Sequence, residues 1–209
     1  MAKSIHAPVT SLKNIPITWP FARWGMDLLG PFPACNGGCK YLVVTIDYFS
    51  KWIEAMPLGK ITSQAVQNFF WQNIICRYGV PRELTVDNGK QFDCAEFIKF
   101  CECLEIKMHF ASVAYPKSNG ACERANGLIL QGLRRRVEHT VSKARGAWGD
   151  ELASVVWGIR TSVSRSTGRT PFSLVYGAEA VLPAEVEFRS PRIERLRSEE
   201  HTSELQSRI

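Results

Sequence analysis

Residues 82–91 read Arg82-Glu-Leu-Thr-Val-Asp-Asn-Gly-Lys-Gln91, and the change of character halfway along decides the fold. Leu84, Thr85 and Val86 are strand formers, and Asp87-Asn88-Gly89 then stops the run. Asp and Asn are depleted from strand interiors, while Gly permits a tight turn that a side chain would block. A buried strand thus delivers the Asp87 carboxylate to its carboxyl end, the edge at which α/β sheets bind ligands. Asp-Asn-Gly is equally an ordinary turn, so the company Asp87 keeps decides between the two readings.

Working outward, strands are predicted over Arg23–Leu29, Tyr41–Ile46 and Trp52–Pro57, the middle one a continuous β-branched run that reads as buried. Asp47-Tyr-Phe-Ser-Lys51 joins the second to the third as a hairpin turn, which makes Asp47 a turn residue and not a metal ligand. Thr62 or Ser63 caps a helix with apolar positions Val66, Phe69, Phe70, Ile74, Ile75 and Tyr78, and Gly79 followed by Pro81 closes it. After the Asp87 strand come a helix over Cys94–Leu104 and a short strand over Ile106–Phe110. Ala111–Asn119 is a polar loop. A long helix over Asn119–Ser142 follows, then one from Trp148, then a short one capped by Thr167-Gly-Arg-Thr-Pro171 and running through Val175-Tyr176.

Two further carboxylates sit in conspicuous company. Asp27 stands in Trp24-Gly-Met-Asp-Leu-Leu-Gly-Pro-Phe32, on the first strand. Glu123 stands in Tyr115-Pro-Lys-Ser-Asn-Gly-Ala-Cys-Glu-Arg-Ala-Asn126, near the start of the long helix. Together the three motifs resemble the catalytic core of the DDE integrases, and among them the integrases of gypsy-type long-terminal-repeat retrotransposons of plants. The resemblance runs from Trp19 to Val186 and includes Asp47-Tyr-Phe-Ser-Lys-Trp-Ile-Glu-Ala55 and Thr170-Pro-Phe-Ser-Leu-Val-Tyr-Gly177. It implies a ribonuclease H-like α/β fold, a five-stranded mixed sheet flanked by helices with its first three strands antiparallel. Periodicity alone would not name that fold, since other α/β enzymes share such elements.

The implied activity is divalent-metal-dependent trimming of DNA 3′ ends and their transfer into target DNA. Carboxylate oxygens are hard ligands suited to Mg²⁺ or Mn²⁺, and two such ions clamp a scissile phosphate. By resemblance Asp27 bridges both ions, Asp87 completes one site and Glu123 the other. Water or a DNA 3′-hydroxyl is the nucleophile. Asn119, Lys117, Arg124 and Asn126 are candidate DNA contacts around Glu123, and Arg134 and Arg135 belong to a basic run on the same helix. Helix capping is the alternative role for Asn119, and a solvated helix face is the alternative for the arginines. The family usually carries Gln where Lys117 stands, and often His where Tyr115 stands. DNA and further copies of the chain are the implied partners. The implied location is the nucleus, and the cytoplasm during the element's replication cycle. A metal-dependent nuclease on the same fold, or a non-catalytic DNA-binding or scaffold protein derived from a retroelement, would share most of these features.

Composition sets bounds consistent with this. The chain has 209 residues, 45% of them hydrophobic, enough for one sizeable core. No run of 18 apolar residues and no apolar signal core is present, which argues against a membrane span and secretion. The net charge of +6 is compatible with a polyanionic partner without demanding one. Seven cysteines, an odd number, point to reduced thiols. Cys35-x₃-Cys39 and Cys101-x-Cys103 lack partner pairs at zinc spacing. Residues 1–18 read as a lead-in segment without the His₂Cys₂ zinc module that the family carries upstream, so the chain is expected to be a fragment. Residues 19–188 form the core, and residues 189–209 read as a disordered tail. Arg197–Ser207 resembles the translation of a sequencing-library adapter and contributes nothing to the predicted fold.

Overall fold

The computed structural model describes residues 19–111, 120–139, 147–188 and 190–195. Five strands make one sheet: β1 (Arg23–Leu29), β2 (Tyr41–Asp47), β3 (Ile53–Leu58), β4 (Glu83–Val86) and β5 (Lys107–Phe110). Their order is β3-β2-β1-β4-β5. β1 runs antiparallel to β2, which is antiparallel to β3, whereas β4 is parallel to both β1 and β5. This is the mixed sheet expected from the sequence, with every predicted strand boundary reproduced to within a residue or two.

Side-chain alternation divides the molecule into layers. On one face Trp24, Met26, Val43, Leu84 and Val86 pack against α1 (Ser63–Phe70) and α3 (Ala95–Cys103), through Val66, Phe69, Phe70, Phe97 and Cys101. On the other, Leu42, Val44 and Ile46 meet α4 (Gly120–His139) and α5 (Trp148–Thr161) through Ala125, Ile129, Leu133, Leu152 and Val156. β2 is therefore covered on both sides, which is why its sequence is a nearly unbroken apolar run.

Thr62 caps α1, its hydroxyl accepting the Ala65 N–H at 3.2 Å. The helix predicted as continuous to Tyr78 instead widens into a π-helical turn at Trp71–Ile75 before a last turn, α2 (Cys76–Tyr78). The widening lets two adjacent buried pairs, Phe69-Phe70 and Ile74-Ile75, face the core although they stand five residues apart. Beyond α5 come α6 (Pro171–Tyr176), capped by Thr170, and α7 (Pro183–Glu187), which the sequence reading did not anticipate. Order continues past Arg189, where the sequence predicts a disordered tail. Residues 191–195 form a helical turn in which Arg192 donates to the Ala180 carbonyl at 2.7 Å and to Glu185 at 2.9 Å. Among the described residues no helix is long and apolar enough to cross a membrane.

Glu54 on β3, 5% exposed, ties the α5 side of the molecule to the end of α2. Its carboxylate accepts from Trp52 Nε1 at 2.9 Å and Tyr78 Oη at 2.7 Å, and pairs with Arg77 and Arg160, each at 2.9 Å. Arg160 also lies over the Trp52 ring and donates to the Ile53 carbonyl. Removing one partner of a buried ion pair strands the other charge and costs about 3–5 kcal/mol. Glu54→Ala should therefore lower unfolding stability by about that amount in urea titrations. Arg77→Ala, at the exposed end of the same node, should cost about 1 kcal/mol or less.

Candidate active site

On β1, Trp24 and Met26 point into the α1–α3 layer, so Gly25 and Asp27 point toward α4. On β4, Thr85 pairs with Gly25, and Asp87 lies two residues further along each strand's direction from that pair, as Asp27 does. The two carboxylates thus leave neighbouring parallel strands on one face. The sequence punctuation at Asp87 works locally as well, because its Oδ1 accepts the Gly89 N–H at 3.1 Å and closes the turn.

The third carboxylate comes from α4, whose seating depends on an empty position. A Cβ on Gly25 would fall 2.3 Å from Cys122 Sγ and 2.9 Å from the Tyr48 ring. Without one, Cys122 drops against the strand, 1% exposed, and shares hydrogen bonding with Tyr48, which also reaches Thr85. Burial pushes both groups up to about 12, so the thiol and the phenol stay protonated. Glu123, the next residue, is left at the exposed edge of the helix. One turn on, Asn126 Nδ2 donates to Asp27 Oδ2 at 2.6 Å, while Asp27 Oδ1 accepts the Leu28 N–H at 2.8 Å.

Electrostatics connect the three. The Asp27 carboxyl is pushed above its ordinary value by burial first, and also by the charges of Asp87 and Glu123. The hydrogen bonds from Leu28 and Asn126 oppose the rise. None of the ion pairs found among the described residues involves Asp27, Asp87 or Glu123. The carboxylates share a neighbourhood without closing into a cage: among the described residues no three His, Cys, Asp or Glu side chains stand close enough to hold a metal ion. The donor chemistry fits a hard cation all the same, with oxygen ligands, mutual repulsion and no neutralising base. Asn126 Oδ1, buried and without a hydrogen-bond partner, adds one more oxygen beside Asp27.

Other sequence candidates fall in several places. Asn126 is 7% exposed and spends its amide on Asp27, so it positions a carboxylate instead of facing DNA. Arg124, Arg134 and Arg135 are exposed along α4, whereas Arg136, the third member of the basic run, pairs with Glu151 of α5 at 3.0 Å. Lys117 and Asn119 lie outside the described residues. Asp47 is the turn residue expected: its carboxylate accepts from the Ser50 hydroxyl at 2.6 Å and the Phe21 N–H at 3.1 Å. The seat formed by Gly25, Cys122 and Tyr48 escaped the sequence reading, although a glycine inside a strand is itself a sign of close approach.

Comparison with known proteins places the fold. Residues 18–116 match the family described as the integrase core domain, a span that takes in Asp27 and Asp87. The chain is 33% identical over 162 residues to the Gag-Pol polyprotein of avian reticuloendotheliosis virus, which covers 76% of the chain but only 13% of that polyprotein. Among solved structures, the integrase catalytic core domain of HTLV-2 in complex with magnesium superposes with a TM-score of 0.59 at 24% identity, covering 75% of this chain and 97% of that one. The simian T-cell lymphotropic virus intasome in complex with the PP2A regulatory subunit B56 gamma gives 0.65 at 22% identity, covering 79% and 57%. The fold is the ribonuclease H-like fold of these catalytic cores.

Two outcomes follow from the site's construction. Gly25→Ala forces a methyl into Cys122 and should cost about 1–3 kcal/mol in urea unfolding. Gly25→Ala with Cys122→Ala should recover only part of it, because the Tyr48 ring would still lie 2.9 Å from the new methyl. For Asp27, the raised folded-state value means its contribution favours folding below the unfolded value of about 3.9 and is lost as pH rises through the raised one. Asp27→Asn can keep its contact with Asn126 if that amide turns over. In metal-free buffer the variant should therefore gain on the parent as pH is raised from about 4 to 7, measured by unfolding at each pH.

Proposed function

With the integrase core domain matched over residues 18–116, we propose that this chain is the catalytic core of a retroelement integrase, a polynucleotidyl transferase that trims DNA 3′ ends and joins them to target DNA. The observation that carries the reading is the convergence of carboxylates on Asp27, whose carboxyl is raised first by burial and then by the charges of Asp87 and Glu123, while no ion pair reaches any of the three among the described residues. A structural carboxylate, the more deeply buried Glu54, has two arginines instead. The relatives named above are retroviral. The motifs quoted from the sequence favour the finer assignment to a gypsy-type long-terminal-repeat element of plants, working in the nucleus on the element's own ends.

Asp27, Asp87 and Glu123 would hold two Mg²⁺ or Mn²⁺ ions. When bound, such a pair supplies activation of an attacking oxygen and stabilisation of a leaving one. The protein's own residues do the rest by position. Asn126 and the Leu28 N–H fix both oxygens of Asp27, and the Gly89 N–H holds Asp87 at the strand end. Cys122 and Tyr48 set the helix that carries Glu123. Arg124, Arg134 and Arg135, exposed on α4, would take phosphates of the DNA backbone and contribute salt-dependent, sequence-independent affinity. Lys117 and Asn119 are proposed to approach the DNA near the cut. The trimeric and dimeric forms of the HTLV-2 core support self-association here.

The test pairs melting with chemistry. A metal bound only by the folded state at a hundredfold excess over Kd stabilises it by about 2.7 kcal/mol. The parent should gain melting temperature with Mg²⁺ or Mn²⁺ and resolve a pre-branched DNA substrate. Asp87→Asn and Glu123→Gln should gain much less and lose cleavage. Asn126→Ala should keep the fold and lose about 10–100-fold in activity, as partners of metal ligands do. Metal-dependent cutting without joining would replace integrase by nuclease. Neither metal response nor cleavage in the folded parent would leave only a scaffold.

A further inference from the structure

The segment between β1 and β2 carries two cysteines that take no part in the carboxylate site. Between them the chain doubles back: the Gly38 N–H donates to the Cys35 carbonyl at 2.9 Å and the Cys35 N–H to the Cys39 carbonyl at 2.8 Å. Gly37 and Gly38 supply the positive φ angles, 92° and 78°, that so tight a turn needs. These bonds are those of a hairpin closed by a glycine bulge, with Gly38 as the extra residue and Cys39 set opposite Cys35, the placement from which a disulfide, spanning roughly 4.4–6.8 Å between Cα atoms, can form. The Cys35 thiol donates to the Asn36 carbonyl at 3.2 Å, and both side chains leave the same side of the turn, close enough for the Cys35 thiol to raise that of Cys39.

The surroundings hold this arrangement in place. Trp148 Nε1 donates to the Pro33 carbonyl at 2.8 Å and Asn36 Nδ2 to Asp150 at 2.9 Å, pinning the first arm and the tip of the turn to the start of α5. Cys35 is 8% exposed and packs over Gly149, where a Cβ would come within 3.1 Å of its sulfur. Cys39 is half-buried. One thiol is thus reachable from solvent, and its neighbour is shielded beside it.

We propose that Cys35 and Cys39 are a modification site, a dithiol that low-molecular-weight disulfides such as oxidised glutathione convert reversibly into an intramolecular disulfide. The Cys39 thiolate attacks one sulfur of oxidised glutathione, forming a mixed disulfide and expelling one glutathione thiolate. The Cys35 thiolate then attacks the Cys39 sulfur and expels the second. Two protein thiols lose two protons and two electrons, and one oxidised glutathione becomes two reduced molecules. Burial pushes the Cys39 thiol up, so proximity to Cys35 sets the pair apart, not unusual nucleophilicity.

Trypsin makes the test direct. The peptide Trp24–Lys40, released by cleavage after Arg23 and Lys40, contains Cys35 and Cys39 and no other cysteine. The peptide Phe100–Lys107 contains Cys101 and Cys103, one buried in the core and one exposed on α3, and serves as an internal control. The folded chain is treated with oxidised glutathione, its remaining thiols are blocked with N-ethylmaleimide, and the peptides are weighed. Peptide 24–40 should appear two hydrogens lighter and free of maleimide, at least tenfold more abundantly than the closed form of peptide 100–107. After dithiothreitol it should take up two maleimides. The Cys39→Ser variant should show neither closure nor glutathione on Cys35. The proposal is overturned if peptide 24–40 retains two maleimides or stops at a glutathione adduct, or if peptide 100–107 closes equally well.

Discussion

Helix α4 lies against β1 because residue 25 has no side chain. The sulfur of Cys122 occupies the volume that a methyl group would need, and this contact sets how closely the first turn of a twenty-residue helix, packed further along by Ala125, Ile129 and Leu133, approaches β1. Glu123 then projects from its edge, and Asn126, one turn later, comes down on Asp27. A carboxylate held on a helix can be brought to carboxylates held on strands only if the two elements approach this closely. Tyr48 and Thr85, buried beside the contact, keep the polar atoms of the seat satisfied in a region closed to water.

Buried carboxylates occur elsewhere in the protein, and their company separates their roles. Glu54 is surrounded by two guanidinium groups and two neutral donors. Asp47 is raised by burial as Asp27 is, but its partners are the Ser50 hydroxyl and the backbone N–H groups of Phe21, Phe49 and Ser50, with the Lys51 cation nearby. Asp27 alone of these three has two other carboxylates pressing on it. A raised value by itself therefore distinguishes nothing here. The sign of the neighbouring charges does, and it marks the position that wants a cation.

Much of this was legible in the residues. Alternation and punctuation located all five strands, and the abrupt stop at Asp87-Asn88-Gly89 marked the carboxyl end of β4. Three features were not legible, each because tertiary packing decides them. The π-helical turn reconciles two apolar pairs with one core, and no local propensity signals it. Asn126 reads as a polar residue one turn from the candidate carboxylate Glu123, and only the helix's approach to β1 turns its amide inward. Arg136 looks like its two neighbours in sequence, yet α5 supplies Glu151 opposite it alone. The short helix α7, begun by Pro183 and closed on its own Glu185, is local chemistry that the sequence reading passed over.

The strand order has a consequence for how copies of this chain can meet. β1, which bears Asp27, is shielded at the centre of the sheet, and the outermost strands are β3 and β5. β3 carries Pro57, which has no N–H to offer, and β5 is only four residues long, with exposed Lys107 at its start. Neither edge is a good template for a sixth strand, since a missing donor, a short run and a charge are the features that keep sheets from extending across molecules. Proteins crowded together on a shared polymer run a standing risk of zipping edge to edge into fibres. This sheet is closed to that route, so any ordered contact between copies has to be made by helices and loops.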